Sequence, residues 1–158
     1  MSLERMYTIG FDNVTVTAAQ DLLTVRASAT NGLTLRRLSL SASAISAAAE
    51  IRVRLKRMPA TVTLGSGGSA PTIQKVSSRN GIAALSSPRA NDTTQATTSG
   101  TAVQLATWNW NVLQDFLEVP PTEYERWEAD VSEALIVDLL AAPGASTVLS
   151  GFLVFKEV

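Results

Sequence analysis

Residues 51–56 read IRVRLK, and this stretch indicates the fold class more clearly than any other. Aliphatic and cationic side chains alternate along it without interruption. A period of two is the pattern of a β-strand that buries one face and exposes the other. We therefore predict a strand here, closed by Pro59. The aliphatic residues are Ile51, Val53 and Leu55, and the cationic residues are Arg52, Arg54 and Lys56.

Further strand patterns lie on both sides of this stretch, with turn residues between them. There is no sustained helical period and no alternation of strands with helices, so we predict an all-β chain with short helical turns at most. About eight short strands favour a two-sheet antiparallel β-sandwich of the jelly-roll type. One short turn is expected to follow Thr122, and another is an option within 41–50. The strand segments are 14–17, 23–27, 33–40, 51–56, 61–64, 101–110, 134–140 and 147–155.

The leucines of the third strand change phase. Leu33 and Leu35 share one face, whereas Leu38 and Leu40 fall on the opposite face of an unbroken strand. A slip of one residue reverses every later side chain, so both pairs reach the core only if an extra residue is inserted. We predict a β-bulge at residues 36–37.

With 158 residues, the chain is predicted to form one domain spanning 1–158. Residues 1–6 are a candidate N-terminal arm. The glycine-rich stretch 65–72 and the polar stretch 87–100 are predicted as flexible loops. The arm or the 87–100 stretch is a candidate for ordering on a partner. No helix pattern follows the glycines, so 65–72 is not a phosphate-binding loop.

Composition excludes several classes of function. The chain has no cysteine and no histidine, so thiolate metal sites and the commonest catalytic bases are absent, and we predict no enzyme, no metal and no cofactor. A net charge of −1 gives no general attraction to nucleic acid. No stretch approaches the ~20 apolar residues of a membrane span, and residues 1–5 lack a signal pattern, so we expect cytoplasmic synthesis.

Acidic residues cluster after Pro121. A pair of carboxylates is what a glycosidase acting on cell-wall polysaccharide would need, but the spacing shows no calcium-loop pattern and brings no two of them around a pocket. A solvated acidic edge beside Arg126 is the favoured interpretation. The cluster comprises Glu123, Glu125, Glu128, Asp130, Glu133 and Asp138.

Candidate contact residues come from three patterns. The cationic face at 51–56 fits a solvated surface best, then a protein-docking surface, and a nucleic-acid site least. The segments 134–140 and 147–155 are apolar on both faces, which favours a contact between subunits; loops or the Ala-rich segment of the same chain are the alternative cover. Tryptophan is enriched at interfaces as well as in cores. The candidates are Arg52, Arg54, Lys56, Trp108, Trp110, Leu135, Val137, Phe152 and Phe155.

Five segments resemble, in order, small proteins encoded in tailed-phage and prophage genomes. They are YTIGF at 7–11, VTVTAAQDL at 14–22, GSGGSAPT at 65–72, NDTTQA at 91–96 and SGFLVF at 150–155. The resemblance implies a virion protein, and the chain looks like a jelly-roll head decoration protein, also called a cement protein. No catalytic residue is carried over.

The resemblance also implies partners and a location. Decoration proteins of this kind commonly form homotrimers on the capsid exterior, bind the major capsid protein and reinforce the shell against internal DNA pressure. We expect neither nucleic acid nor membrane as a partner. The alternative is a tail or fibre-tip module that binds a host-surface glycan or protein through exposed aromatic residues such as Trp108 and Trp110.

Overall fold

The computed structural model describes residues 5–45 and 49–158. Within these ranges the chain is built from strands and one short 3₁₀ turn at Glu123–Glu125, and no helix is long and apolar enough to cross a bilayer. The strands are β1 (Met6–Val16), β2 (Asp21–Arg26), β3 (Leu33–Ile45), β4 (Glu50–Met58), β5 (Val62–Thr63), β6 (Gln74–Lys75), β7 (Ser87–Asp92), β8 (Thr97–Thr98), β9 (Val103–Asn111), β10 (Phe116–Glu118), β11 (Glu128–Ala129), β12 (Ala134–Leu139) and β13 (Thr147–Glu157).

Two antiparallel sheets pack face to face, which confirms the predicted β-sandwich. Sheet A has the order β10-β3-β13-β1-β6, with β11 also paired to β3. Sheet B has the order β7-β2-β12-β4-β9, and β5 pairs with β8 in a separate ribbon. Inward side chains of both sheets form one continuous hydrophobic core, as expected when each strand buries alternate residues.

The strand order is that of a jelly roll. The long strands pair from the outside of the sequence inward: β1 with β13, β2 with β12, β3 with β10 and β4 with β9. This nesting results when a long antiparallel ribbon rolls up so that successive strand pairs alternate between two sheets. Residues 59–102, between β4 and β9, are an addition to this scheme and are called the insertion below.

The bulge predicted in the third strand is present. In the pairing of β13 with β3, Val154 lies opposite Arg37 and Phe155 lies opposite Leu35, so Arg36 is the extra residue. All four leucines on the two sides of the bulge are buried in the core as a result. The phase change of the leucines is therefore explained by the geometry of a single residue.

The outer face of sheet B is covered by the chain itself. Ala134 and Ile136 point away from the main core, and residues of the insertion, Val62 and Ala96, pack over them in a second apolar cluster. Every residue of β12 is buried. The prediction that a second subunit covers β12 is therefore wrong, and the alternative, a cover from the same chain, is confirmed. Leu135 and Val137, proposed as contact residues, lie in the main core.

Three local predictions need correction. The 87–100 stretch is not one loop, because Ser87–Asp92 forms β7 at the edge of sheet B and Thr97–Thr98 forms β8. The helical turn considered within 41–50 does not begin at its start, because β3 continues to Ile45; residues 46–48 lie outside the described residues. Of the candidate arm, residues 1–4 also lie outside, and Met6 already belongs to β1.

Candidate functional site

The cationic face of β4 is largely engaged within the chain. Arg52 is exposed, but Arg54 and Lys56 point toward Asp138 on the neighbouring strand β12. The Asp138 carboxylate accepts hydrogen bonds from Arg54 Nε at 3.0 Å and Nη2 at 2.6 Å, and from Lys56 Nζ at 2.8 Å. Arg54 and Lys56 are thus engaged within the chain and not available to bind a partner, which corrects their assignment as contact residues. The favoured prediction of a solvated face is also wrong for Lys56, which is buried.

Asp21 joins this group from strand β2. Its carboxylate lies 3.6 Å from Lys56 Nζ, and it accepts a 2.7 Å hydrogen bond from the backbone N–H of Ala96 in the insertion. Gln95 Nε2 lies 3.4 Å from both Asp21 and Asp138. Asp21, Arg54, Lys56 and Asp138, called the charge cluster below, therefore carry two negative and two positive charges and attach the insertion to sheet B.

Burial raises the pKa of Asp21 above its ordinary value of 3.8, and nearby Asp138 adds to this; the Ala96 N–H and Lys56 oppose the shift. The folded chain therefore binds a proton at Asp21 more tightly than the unfolded chain does. The resulting stabilisation is complete below pH 3.8 and is lost as the pH rises through the raised pKa.

We expect the Asp21→Asn variant to lose this pH dependence. The amide keeps the shape and the oxygen that accepts from Ala96 but does not ionise, so the variant gains stability relative to the parent as the pH rises from about 4 to 7. Urea unfolding of both proteins at four pH values in this range measures the difference. A difference that stays constant with pH would contradict the assignment.

The glycine-rich stretch is fixed along the outer edge of β7. Ser69 and Ala90 exchange two backbone hydrogen bonds of 2.9 and 2.8 Å, and the Gly68 N–H donates to Asp92 at 3.1 Å. A Cβ at Gly68 would lie 2.1 Å from the Ala90 carbonyl oxygen, and Gly67 has a φ of +88°. The glycines are thus needed for close backbone approach and an unusual turn, and the loop covers this sheet edge.

The tryptophans of β9 point inward. Trp108 packs edge to face on Phe116 and Trp127, with ring centroids 5.3 and 5.8 Å away. Trp110 is 3% exposed and donates from Nε1 to the Gln114 carbonyl oxygen at 2.6 Å. The two side chains lie on one side of the strand, as predicted, but Trp110 is not an exposed aromatic residue for a glycan, and Trp108 is half-buried within the same cluster.

The acidic residues after Pro121 are spread over separate places. Glu123 pairs with Arg36 at 3.1 Å, Glu128 accepts from the Thr34 hydroxyl at 3.3 Å, and Asp138 belongs to the charge cluster. Among the described residues, no three carboxylates converge in a way that would hold a metal ion. The predicted solvated edge beside Arg126 is therefore wrong for Asp138, which is buried, whereas Glu123 is exposed and also pairs with Arg126.

The outer face of sheet A, called the open face below, differs from that of sheet B. One row of paired residues crosses it: Leu117 on β10, Ser39 on β3, Phe152 on β13 and Gly10 on β1. Phe152 is half-buried and Leu117 is 54% exposed. Because Gly10 has no side chain, a shallow groove of about 470 Å³ runs beside the Phe152 ring.

The neighbouring row completes the open face. Arg37, Val154 and Thr8 are paired across β3, β13 and β1, and the Arg37 guanidinium carbon lies 5.3 Å from the centre of the Phe152 ring. Of the predicted contact residues on β13, Phe152 is on this face, whereas Phe155 is 1% exposed and lies in the core against Tyr7. Nothing in the sequence pattern indicated that Leu117 would join this row.

No protein-family model matches the chain, and no curated protein matches it. Among solved structures, it is similar at 14% identity and a TM-score of 0.12 to the crystal structure of the infectious bursal disease virus VP2 subviral particle. The match covers 99% of this chain, and the chain spans 42% of that protein's length.

Proposed function

We propose that this chain is a non-enzymatic structural protein of a tailed-phage particle, which binds the major capsid protein on the outside of the shell and stabilises the head. The observation that carries the proposal is the difference between the two outer faces of the sandwich. Sheet B is covered by the insertion, and sheet A presents the open face. A protein that works by lying against a larger surface needs one such face.

The chemistry of the open face suits a protein surface as its partner. Its centre combines Phe152, Leu117 and Val154 with hydroxyl groups such as that of Ser39. Aliphatic, aromatic and hydroxyl groups cost less to remove from water than unpaired charges do. Charged residues are depleted and aromatic residues enriched at the centres of protein interfaces.

The open face is modest in size, but a capsid shell presents many copies of its binding site. A single shallow contact retains a partner only weakly, but many copies on one shell reinforce each other when the contacts are linked. The jelly-roll winding and the resemblance in five segments support the same role.

We expect the purified protein to bind empty heads assembled from the major capsid protein of the genome that encodes it. Binding should saturate at a fixed ratio of copies to capsid subunits. The double variant Phe152→Ala/Leu117→Ser removes the largest apolar groups of the open face and should weaken binding by about tenfold or more, since each 1.4 kcal/mol of lost contact is a factor of ten. Co-sedimentation with the heads over a concentration series measures both.

Leu85→Ser is the matched control, because Leu85 is 55% exposed, close to the 54% of Leu117, and lies outside the open face. It should bind heads as the parent does. A folded parent that fails to bind heads would overturn the proposal. Equal binding by the open-face variant and the control would show that another surface docks.

A further inference from the structure

We infer that the free edge of β9 is a contact between two copies of this chain, paired antiparallel across a two-fold axis. The inference concerns self-association and does not depend on capsid binding. It extends the two five-stranded B sheets into one sheet through β9 of each copy.

β9 is a long strand at the edge of sheet B. It has nine residues, and within the described part of the chain its backbone pairs with β4 on one side and with no strand on the other. A row of unpaired N–H and C=O groups is a template for another strand. Proteins usually protect such edges with charge, proline, a bulge or a covering segment.

Several other edges of the described chain carry such protection. The edge of β7 contains Pro88 and is covered by the Ser69 bridge to Ala90. Beyond its short pairing with β6, β1 has the exposed charge of Asp12 and a register shift at Asn13, whose φ is +51°. The strands β6, β10 and β11 have only two or three residues each.

β9 has little protection of this kind. It reads VQLATWNWN and contains no charged residue and no proline. Its pairing with β4 shifts at Leu105, which leaves 106–111 as a regular edge. Tryptophan and threonine favour strand geometry, so the backbone of β9 already has the extended conformation that pairing requires.

We assign a second copy of this chain as the partner of the β9 edge, because the sequence of β9 suits pairing with itself. An uncharged strand brings no like charges together when it pairs with itself. Residues directly opposite in an antiparallel pair share a face, so the axis must lie at a residue. With the axis at Trp108, Ala106 meets Trp110 of the second copy on the inner side, a small residue against a large one. Thr107 then meets Asn109 of the second copy on the outer side.

Sedimentation equilibrium over a concentration series tests the inference. We expect a dimer of about 34 kDa, twice the 16.8-kDa chain. Asn109→Lys places a charge on an exposed position of the edge and should raise the dissociation constant at least tenfold. Thr15→Lys, an exposed position on the protected β1, should leave it unchanged. Circular dichroism confirms that both variants fold.

Cross-linking fixes the register. The sequence contains no cysteine, so introduced thiols can react only with each other. With the axis at Trp108, the Thr107→Cys/Asn109→Cys double variant should form a covalent dimer on mild oxidation, and Thr107→Cys alone should not. A native mass of one chain, a trimer of about 50 kDa, or a dimer unaffected by Asn109→Lys would overturn the inference.

Discussion

Replacing Asp138 with alanine is expected to lower the free energy of unfolding by about 3–5 kcal/mol, the usual range when one partner of a buried ion pair is removed. Asp138 is fully buried and accepts hydrogen bonds from both Arg54 and Lys56. Without it, Asp21, 3.6 Å away, is the one counter-charge left to the Lys56 ammonium among the described residues. Urea unfolding at pH 7 measures the loss.

Two further variants separate the charge from other effects. Asp115→Ala removes an exposed carboxylate and should change the unfolding free energy by less than about 0.5 kcal/mol. The triple variant Asp21→Asn/Lys56→Met/Asp138→Leu removes the three most buried charges of the charge cluster. It should recover at least half of the loss, because uncharged groups of similar volume can replace buried ion pairs at little cost. An Asp138→Ala loss below about 1 kcal/mol would mean that water solvates the cluster.

Phe155→Ala is expected to cost about 3–5 kcal/mol, whereas Phe152→Ala should cost less than about 1 kcal/mol, although the two phenylalanines lie on one strand. Phe155 is buried in the core, with its ring centroid 5.8 Å from that of Tyr7, so truncation leaves a cavity. Phe152 lies on the open face and loses mainly its contact with Arg37. Thermal and urea unfolding of both variants measure the contrast.

Phe155→Leu is the control for shape, since it keeps most of the apolar volume and should recover a large part of the loss. Equal losses for the two alanine variants would contradict the assignment of opposite faces. The same comparison corrects the sequence-based choice of Phe155 as a contact residue, because only Phe152 combines a small effect on stability with a position on an outer face.

Local alternation predicted the strands well because it depends on neighbours in sequence alone. The pattern at 51–56 and the bulge at Arg36 were both readable, since each follows from which side chains must reach a core. Alternation cannot say which segment covers an outer face. The insertion reaches β12 by packing Val62 and Ala96 over Ala134 and Ile136, and nothing in either segment marks the other as its partner.

The charge cluster was not predicted for a similar reason, although the sequence contains one signal for it. A face of alternating cations looks the same in sequence whether it meets water or buried carboxylates. Asp138, however, lies within an apolar run from Ala134 to Leu140. A carboxylate in a strand buried on both faces needs a cationic partner, and the cationic face of 51–56 was the obvious source. The sequence did not show that β12 pairs with β4.

The nesting of the strands has a consequence for how the protein is made. In sheet A, β13 lies between β1 and β3, and Met6 pairs with Lys156. The centre of that sheet cannot close until residues 147–157 have left the ribosome. Chains whose pairings join distant parts of the sequence fold slowly, on the order of milliseconds to seconds. During synthesis the edges of β1 and β3 that pair with β13 therefore stay unpaired. We expect chaperones that shield nascent strands to raise the yield of folded protein.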